Sequence, residues 1–91
     1  MSAAGLPTDA RAPRTFVKGE GTWLIEADGR RVLDRGAGIA VNALGHAHPA
    51  LVKALTDQAG ALWHTSNLYH IPQQKMLADQ LVDATFADTV F

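Results

Sequence analysis

Asp28-Gly29 is the feature that most constrains what this chain can fold into. It lies between two short runs, Thr22-Trp23-Leu24-Ile25-Glu26 and Arg30-Arg31-Val32-Leu33-Asp34. The first run is β-branched and aromatic, a composition that fits a pleated, half-buried surface. Glycine adopts positive φ at no steric cost, so Asp-Gly between two such runs is a strong short-range hairpin signal. The sequence therefore predicts sheet over about 16–34, with Gly19-Glu20-Gly21 as a further turn just before the first strand.

Two helices are predicted downstream. Pro49 suits a first helical position, where its missing N–H would be unpaired anyway. From there Leu51, Leu55 and Leu62 recur at helical spacing with Val52, Ala59 and Trp63 beside them, which predicts a helix over about 49–63. Lys53, Asp57 and Gln58 point elsewhere, and Gly60 weakens the helix near its end. A second helix is predicted over about 72–84, opened by Pro72. Met76, Leu77, Leu81 and Ala84 form its apolar stripe, while Gln73, Lys75, Asp79 and Asp83 face out. These apolar side chains are expected to be core. Residues 64–71 show no period and read as a loop. Ala87-Asp88-Thr89-Val90-Phe91 reads as the start of a β-like run, and residues 1–14 as an irregular arm. A hairpin and two amphipathic helices do not close a unit, because helices need a sheet to lie on. The segment is expected to be α+β, incomplete as a closed domain, and the N-terminal part of a larger protein.

Gly38 to Pro49, GIAVNALGHAHP, is the stretch most like a binding site, since its glycines allow close backbone approach. Other chemical readings of the chain are weak. His46 and His48 form a His-x-His pair, but a metal site needs further ligands, and His64 and His70 lie beyond a predicted helix, so no metal is expected. Ser66 lacks a nucleophile context, and Thr65-Ser66-Asn67 reads as a run that bonds backbone groups in a tight loop. Trp63 and Tyr69 flank it and either line a pocket or anchor the loop. Gly19-x-Gly21 and Gly36-x-Gly38 lack the glycine count or the helix that a phosphate loop requires. Asp28 and Asp34 flank the hairpin without an evident catalytic partner. Lys18, Lys53 and Lys75 sit at a strand start or on exposed helix faces, so none reads as a desolvated catalytic amine.

A formal charge of −1 gives no electrostatic reason to expect nucleic acid or an anionic membrane as partner. There is no cysteine, so disulfides and thiolate chemistry are excluded for these residues. No apolar run approaches the roughly 20 residues that span a bilayer, and the first residues lack a signal-peptide apolar block. A cytoplasmic location is expected.

The order FVKGEGTWLIEADGRRVLD, GIAVNALGHAHPALVKAL, LWHTSNLYHIPQQKMLADQLV resembles the N-terminal portion of class III aminotransferases. The pairing of GIAVNALGHAHP with LWHTSNLY is the specific part, and it resembles most the members that act on N-acetylornithine. The resemblance covers about residues 8–91. It implies an α/β, fold type I enzyme dependent on pyridoxal 5'-phosphate, homodimeric, that exchanges an amino group between an amino-acid donor and 2-oxoglutarate. It also implies that the cofactor's phosphate loop begins just after Phe91 and that the reactive lysine lies much further on. No catalytic or cofactor-binding residue is then expected among these 91, and the segment alone is expected to be inactive. The resemblance places Ile39, with Val41 close by, as an apolar wall of the substrate pocket; ordinary core is the other reading of Ile39. It places Ser66, Asn67 and Tyr69 in a loop near the active site and subunit interface. Two positions depart from the pattern. Asp9, in Thr8-Asp9-Ala10-Arg11, stands where an aromatic residue is usual, and Val32 stands where a tyrosine is usual. Donors such as succinylornithine, ornithine or 4-aminobutyrate, and a non-catalytic interaction module, are the alternatives.

Overall fold

The computed structural model describes residues 4–91; residues 1–3 of the predicted arm lie outside the described residues. The chain divides into two compact units, one running through Gly60 and one starting at Ala61.

The first unit contains a three-stranded antiparallel sheet in the order β1-β2-β3: β1 Phe16–Glu20, β2 Trp23–Glu26 and β3 Arg31–Leu33. The sequence predicts two strands with a turn at residues 19–21. Instead Phe16–Glu20 pairs with β2, and the chain reverses at Gly21-Thr22, where Gly21 takes φ 57°. Phe16-Val17-Lys18 is a fair strand former, and the register slips between Phe16 and Lys18, so a bulge absorbs one residue there. The β2–β3 connection is a three-residue loop, Ala27-Asp28-Gly29. The Gly29 N–H donates to Glu26 O at 2.9 Å and the Glu26 N–H to Arg30 O at 2.8 Å, with Gly29 at φ 90°. That is a turn closed by a left-handed glycine, the next most common hairpin form after the two-residue loop. Asp28 fixes it by accepting from the backbone N–H and Nε of Arg30.

Glu26 is the one buried residue of the described set. A buried carboxylate must be paired. Arg14 Nη1 lies 3.0 Å from one oxygen and Arg30 Nε 3.6 Å from the other. Residues 4–15 have no regular structure, and this ion pair ties their end to the sheet. On the same hairpin the Arg31 guanidinium lies 4.6 Å from the Trp23 ring centroid, a cation–π contact that covers part of the indole.

After β3 come a single tight turn, α1 (Ala37–Ala40), and a helix, α2 (Pro49–Ala59). The sequence predicts α2 to about residue 63, but it stops at Ala59. Gly60 caps it with its N–H on Thr56 O, so Leu62 and Trp63 are not part of its stripe. Gly60 is the reason, since glycine is the weakest non-proline helix former. The second unit holds a 3-10 turn at Ser66–Leu68, where the sequence predicts an irregular loop, and a helix, α3 (Pro72–Ala84). Thr85 closes α3: its hydroxyl donates to Leu81 O and accepts from the Ala87 N–H. Residues 87–91 form no strand, in contrast to the predicted β-like run, because no neighbouring strand pairs with them. Surface pairs Lys53–Asp57 and Lys75–Asp79 bind at i,i+4.

Contrary to the expected core, no apolar side chain among the described residues is buried. In the first unit α2 does not pack on the sheet. Leu55 is 74% exposed, and Leu51, Val52, Met76, Leu77 and Leu81 are exposed too. The amphipathic stripes exist as sequence predicts, but nothing described here covers them.

Candidate functional site

The stretch from Asp34 to Pro49 is built as a clasped loop. Asp34 ends β3's run, and its backbone N–H donates to Thr22 O at 2.7 Å. Its Oδ1 accepts from the N–H of Gly36 at 3.1 Å and of Ala37 at 2.9 Å. Aspartate favours this use because its short side chain reaches backbone donors two and three residues on. Its Oδ2 lies 2.6 Å from His46 Nε2. An ionised carboxylate only accepts, so Nε2 carries the hydrogen.

Between these two anchors the backbone turns left-handed. Ala37, Gly38, Ile39 and Ala40 have φ of 49°, 65°, 64° and 62°. The turn is closed by the N–H groups of Ala40 on Gly36 O and of Val41 on Ala37 O. For L-residues this geometry costs roughly 1–2 kcal/mol each, and a β-branched residue there is an outlier. Such strain persists only where surroundings over-determine it, and it concentrates at functional sites. The turn presents Ile39 outward, 95% exposed, with Val41 also exposed.

The far end of the loop is pinned by glycines. Gly21 and His46 exchange backbone hydrogen bonds at 3.0 and 2.7 Å. Gly45 has φ 80°, and a Cβ there would lie 2.8 Å from Gly21 O. A Cβ on Gly19 would lie 2.6 Å from both Cβ and Cγ of His46. The expectation of close backbone approach is realised, and the object approached is the protein's own β1–β2 turn. A cavity of about 260 Å³ remains beside it, lined among others by Thr22, Asp34, Asn42 and His46.

Both histidines of the His-x-His pair have local duties. His46 bonds Asp34, and His48 Nδ1 accepts from the Ala50 N–H at the start of α2, which makes His48 the helix cap. Asp34 is the residue that sequence reasoning missed. The available signal was an aspartate two residues before a glycine at a strand end, a known backbone-bonding pattern.

Ser66, Asn67 and Tyr69 lie in the second unit. Ser66 has φ 64° and its hydroxyl donates to Asn67 Oδ1 at 3.2 Å; Asn67 and Tyr69 are exposed. Ile39 and Val41 lie in the first unit. Asp9, at the position of the usual aromatic, is exposed and bonded to Thr8 and Arg11.

The Asp34 carboxyl is held below its ordinary value of 3.8, chiefly by the hydrogen bond from His46 and next by the Ala37 N–H. A depressed folded value means that the ionised carboxylate favours the folded state. That contribution is complete above pH 3.8 and is lost as the pH falls through the lowered value. In an acid titration, the Gly36 and Ala37 amides are therefore expected to stay protected below the ordinary carboxylate range and to release only at still lower pH. The Asp34→Asn protein should lack that step in amide exchange.

The family profile described as Aminotransferase class-III matches residues 7–91, and the chain belongs to that family. Members of this class depend on pyridoxal phosphate. An acetylornithine aminotransferase of Rhodobacter capsulatus is 69% identical over all 91 residues, and one of Mesorhizobium japonicum is 62% identical over 92 aligned positions. The chain spans 23% of the length of each of these relatives. The crystal structure of N-acetylornithine aminotransferase from Stenotrophomonas maltophilia K279a superposes with a TM-score of 0.84 at 43% identity. That match covers 89% of this chain and 22% of the other. The sheet and helices described above thus form part of an aminotransferase fold.

The described residues do not fit the cofactor's attachment. Lys53 and Lys75 are ion-paired on exposed helix faces, and Lys18 is exposed on β1. None is desolvated, one of the settings that makes an amine reactive at neutral pH. No helix is long and apolar enough to cross a membrane among the described residues.

Proposed function

We propose that this chain is the N-terminal, substrate-recognising segment of a transaminase that converts N-acetylornithine and 2-oxoglutarate to N-acetylglutamate semialdehyde and glutamate, a step of arginine biosynthesis. The observation that carries this reading is 69% identity along the whole chain to a relative named for that substrate. In the proposed enzyme, pyridoxal phosphate supplies the amino-group chemistry and is held by residues outside this segment. Ile39 and Val41 contribute an apolar wall to the substrate pocket. The left-handed turn that carries Ile39, with Val41 following it, supports that role, because backbone strain of this kind concentrates at functional sites. Ser66, Asn67 and Tyr69 belong to the loop beside the active site and subunit interface. The uncovered stripes of α2 and α3 are the surfaces on which the rest of a cytoplasmic homodimer packs.

The test is a donor comparison with the full-length, cofactor-loaded enzyme. N-acetylornithine with 2-oxoglutarate is expected to give a kcat/KM at least roughly tenfold above ornithine, succinylornithine or 4-aminobutyrate. Preference for one of those donors would replace the substrate assignment.

A further inference from the structure

We propose that Asp34 is a positioning residue for the substrate wall, clasping both ends of the loop that carries Ile39 without itself meeting the substrate. This rests on the reading of Ile39 as part of that wall.

The carboxylate is well placed for such a task. Its side chain is only 14% exposed and receives three donors: the Gly36 and Ala37 N–H groups on Oδ1 and His46 Nε2 on Oδ2. The first two are the residues that open the left-handed turn, and the third follows the glycine that closes the loop. One side chain thus connects positions 36, 37 and 46, and everything between them is the segment GIAVNALG. Charge-assisted bonds of this kind are roughly twice as strong as neutral ones. His46 is itself fixed by its backbone exchange with Gly21 and by the missing side chain of Gly19, so the clasp is anchored to the sheet. A left-handed run of four residues, three of them not glycine, relaxes toward ordinary backbone once its first N–H groups lose their acceptor. Ile39 would then point elsewhere. Displacements of about 1 Å in a positioned group can change turnover of a substrate by as much as a hundredfold.

Three variants of the full-length, cofactor-loaded enzyme test the clasp, read by steady-state kinetics and by amide exchange at Gly36 and Ala37. In Asp34→Ala the KM for N-acetylornithine should rise roughly tenfold while kcat changes less than about threefold, and both amides should lose protection. Asp34→Asn should recover most of the loss, since its Oδ1 still accepts from the two N–H groups and its amide can face the other tautomer of His46. His46→Gln, which keeps the Oδ1 bonds, should fall between, and it carries the test should Asp34→Ala not fold. A residue of merely structural importance would lower the active fraction and leave the KM of the active remainder unchanged. That outcome, or retained amide protection in Asp34→Ala, overturns the proposal. If Ile39→Trp raises KM and Asp34→Ala does not, the clasp fails and the wall stands. If neither raises KM while the amides deprotect, the wall reading is what fails, and with it the positioning role.

Discussion

Gly45→Val is expected to break the Gly21–His46 bridge and to destabilise the protein by about 3 kcal/mol or more. Two independent effects add. The backbone at Gly45 has φ 80°, which costs a β-branched residue on the order of 1–2 kcal/mol or more. The new Cβ also meets backbone, 2.8 Å from the oxygen and 2.9 Å from the carbon of Gly21, and backbone cannot swing away as a flexible side chain would. Separation would cost the two bonds between Gly21 and His46, each contributing about 1 kcal/mol. Denaturant unfolding of the full-length protein, with exchange at the His46 amide, reads both. Gly5→Val is the control: nothing lies within 4 Å of a Cβ there, so its effect should stay within about 0.5 kcal/mol. A Gly45→Val protein with an unchanged midpoint and a protected His46 amide would contradict the crossing of these two segments.

The crossing also marks where sequence reasoning reaches and where it stops. Local chemistry was legible. Asp28-Gly29 makes the hairpin, Pro49 and Pro72 open the helices, and Gly60 ends α2, one turn earlier than the apolar spacing alone suggests. The spacing misleads because Leu62 and Trp63 continue a helical period by position while glycine removes the backbone support for it. Phe16–Glu20 was harder to place, since its pairing with β2 needs a bulge that no turn signal announces.

The site was legible in outline and not in detail. Its glycines indicate close approach, but they do not say to what. The partner is Gly21, more than twenty positions away, and such a pairing is set by topology rather than by local pattern. The bond from His46 to Asp34 is hidden for the same reason, as the two residues look unrelated along the chain. The left-handed conformation of Ile39 runs against every local preference of a β-branched residue. Places where local and overall preference conflict are where function is to be sought. The burial of the helix stripes was overestimated because amphipathic spacing identifies a face that seeks cover, and no described residue supplies it.

Ile39→Trp in the full-length, cofactor-loaded enzyme tests most directly whether this loop forms the substrate wall. Ile39 is 95% exposed in this chain, so the substitution disturbs no core packing there. Isoleucine already occupies positive φ at this position, so tryptophan adds little backbone strain. What it adds is bulk on the face proposed to meet the substrate. The KM for N-acetylornithine is predicted to rise roughly tenfold or more, with bound pyridoxal phosphate and the melting temperature unchanged. An unchanged KM in a folded, cofactor-loaded Ile39→Trp enzyme would remove Ile39 from the pocket and contradict the account.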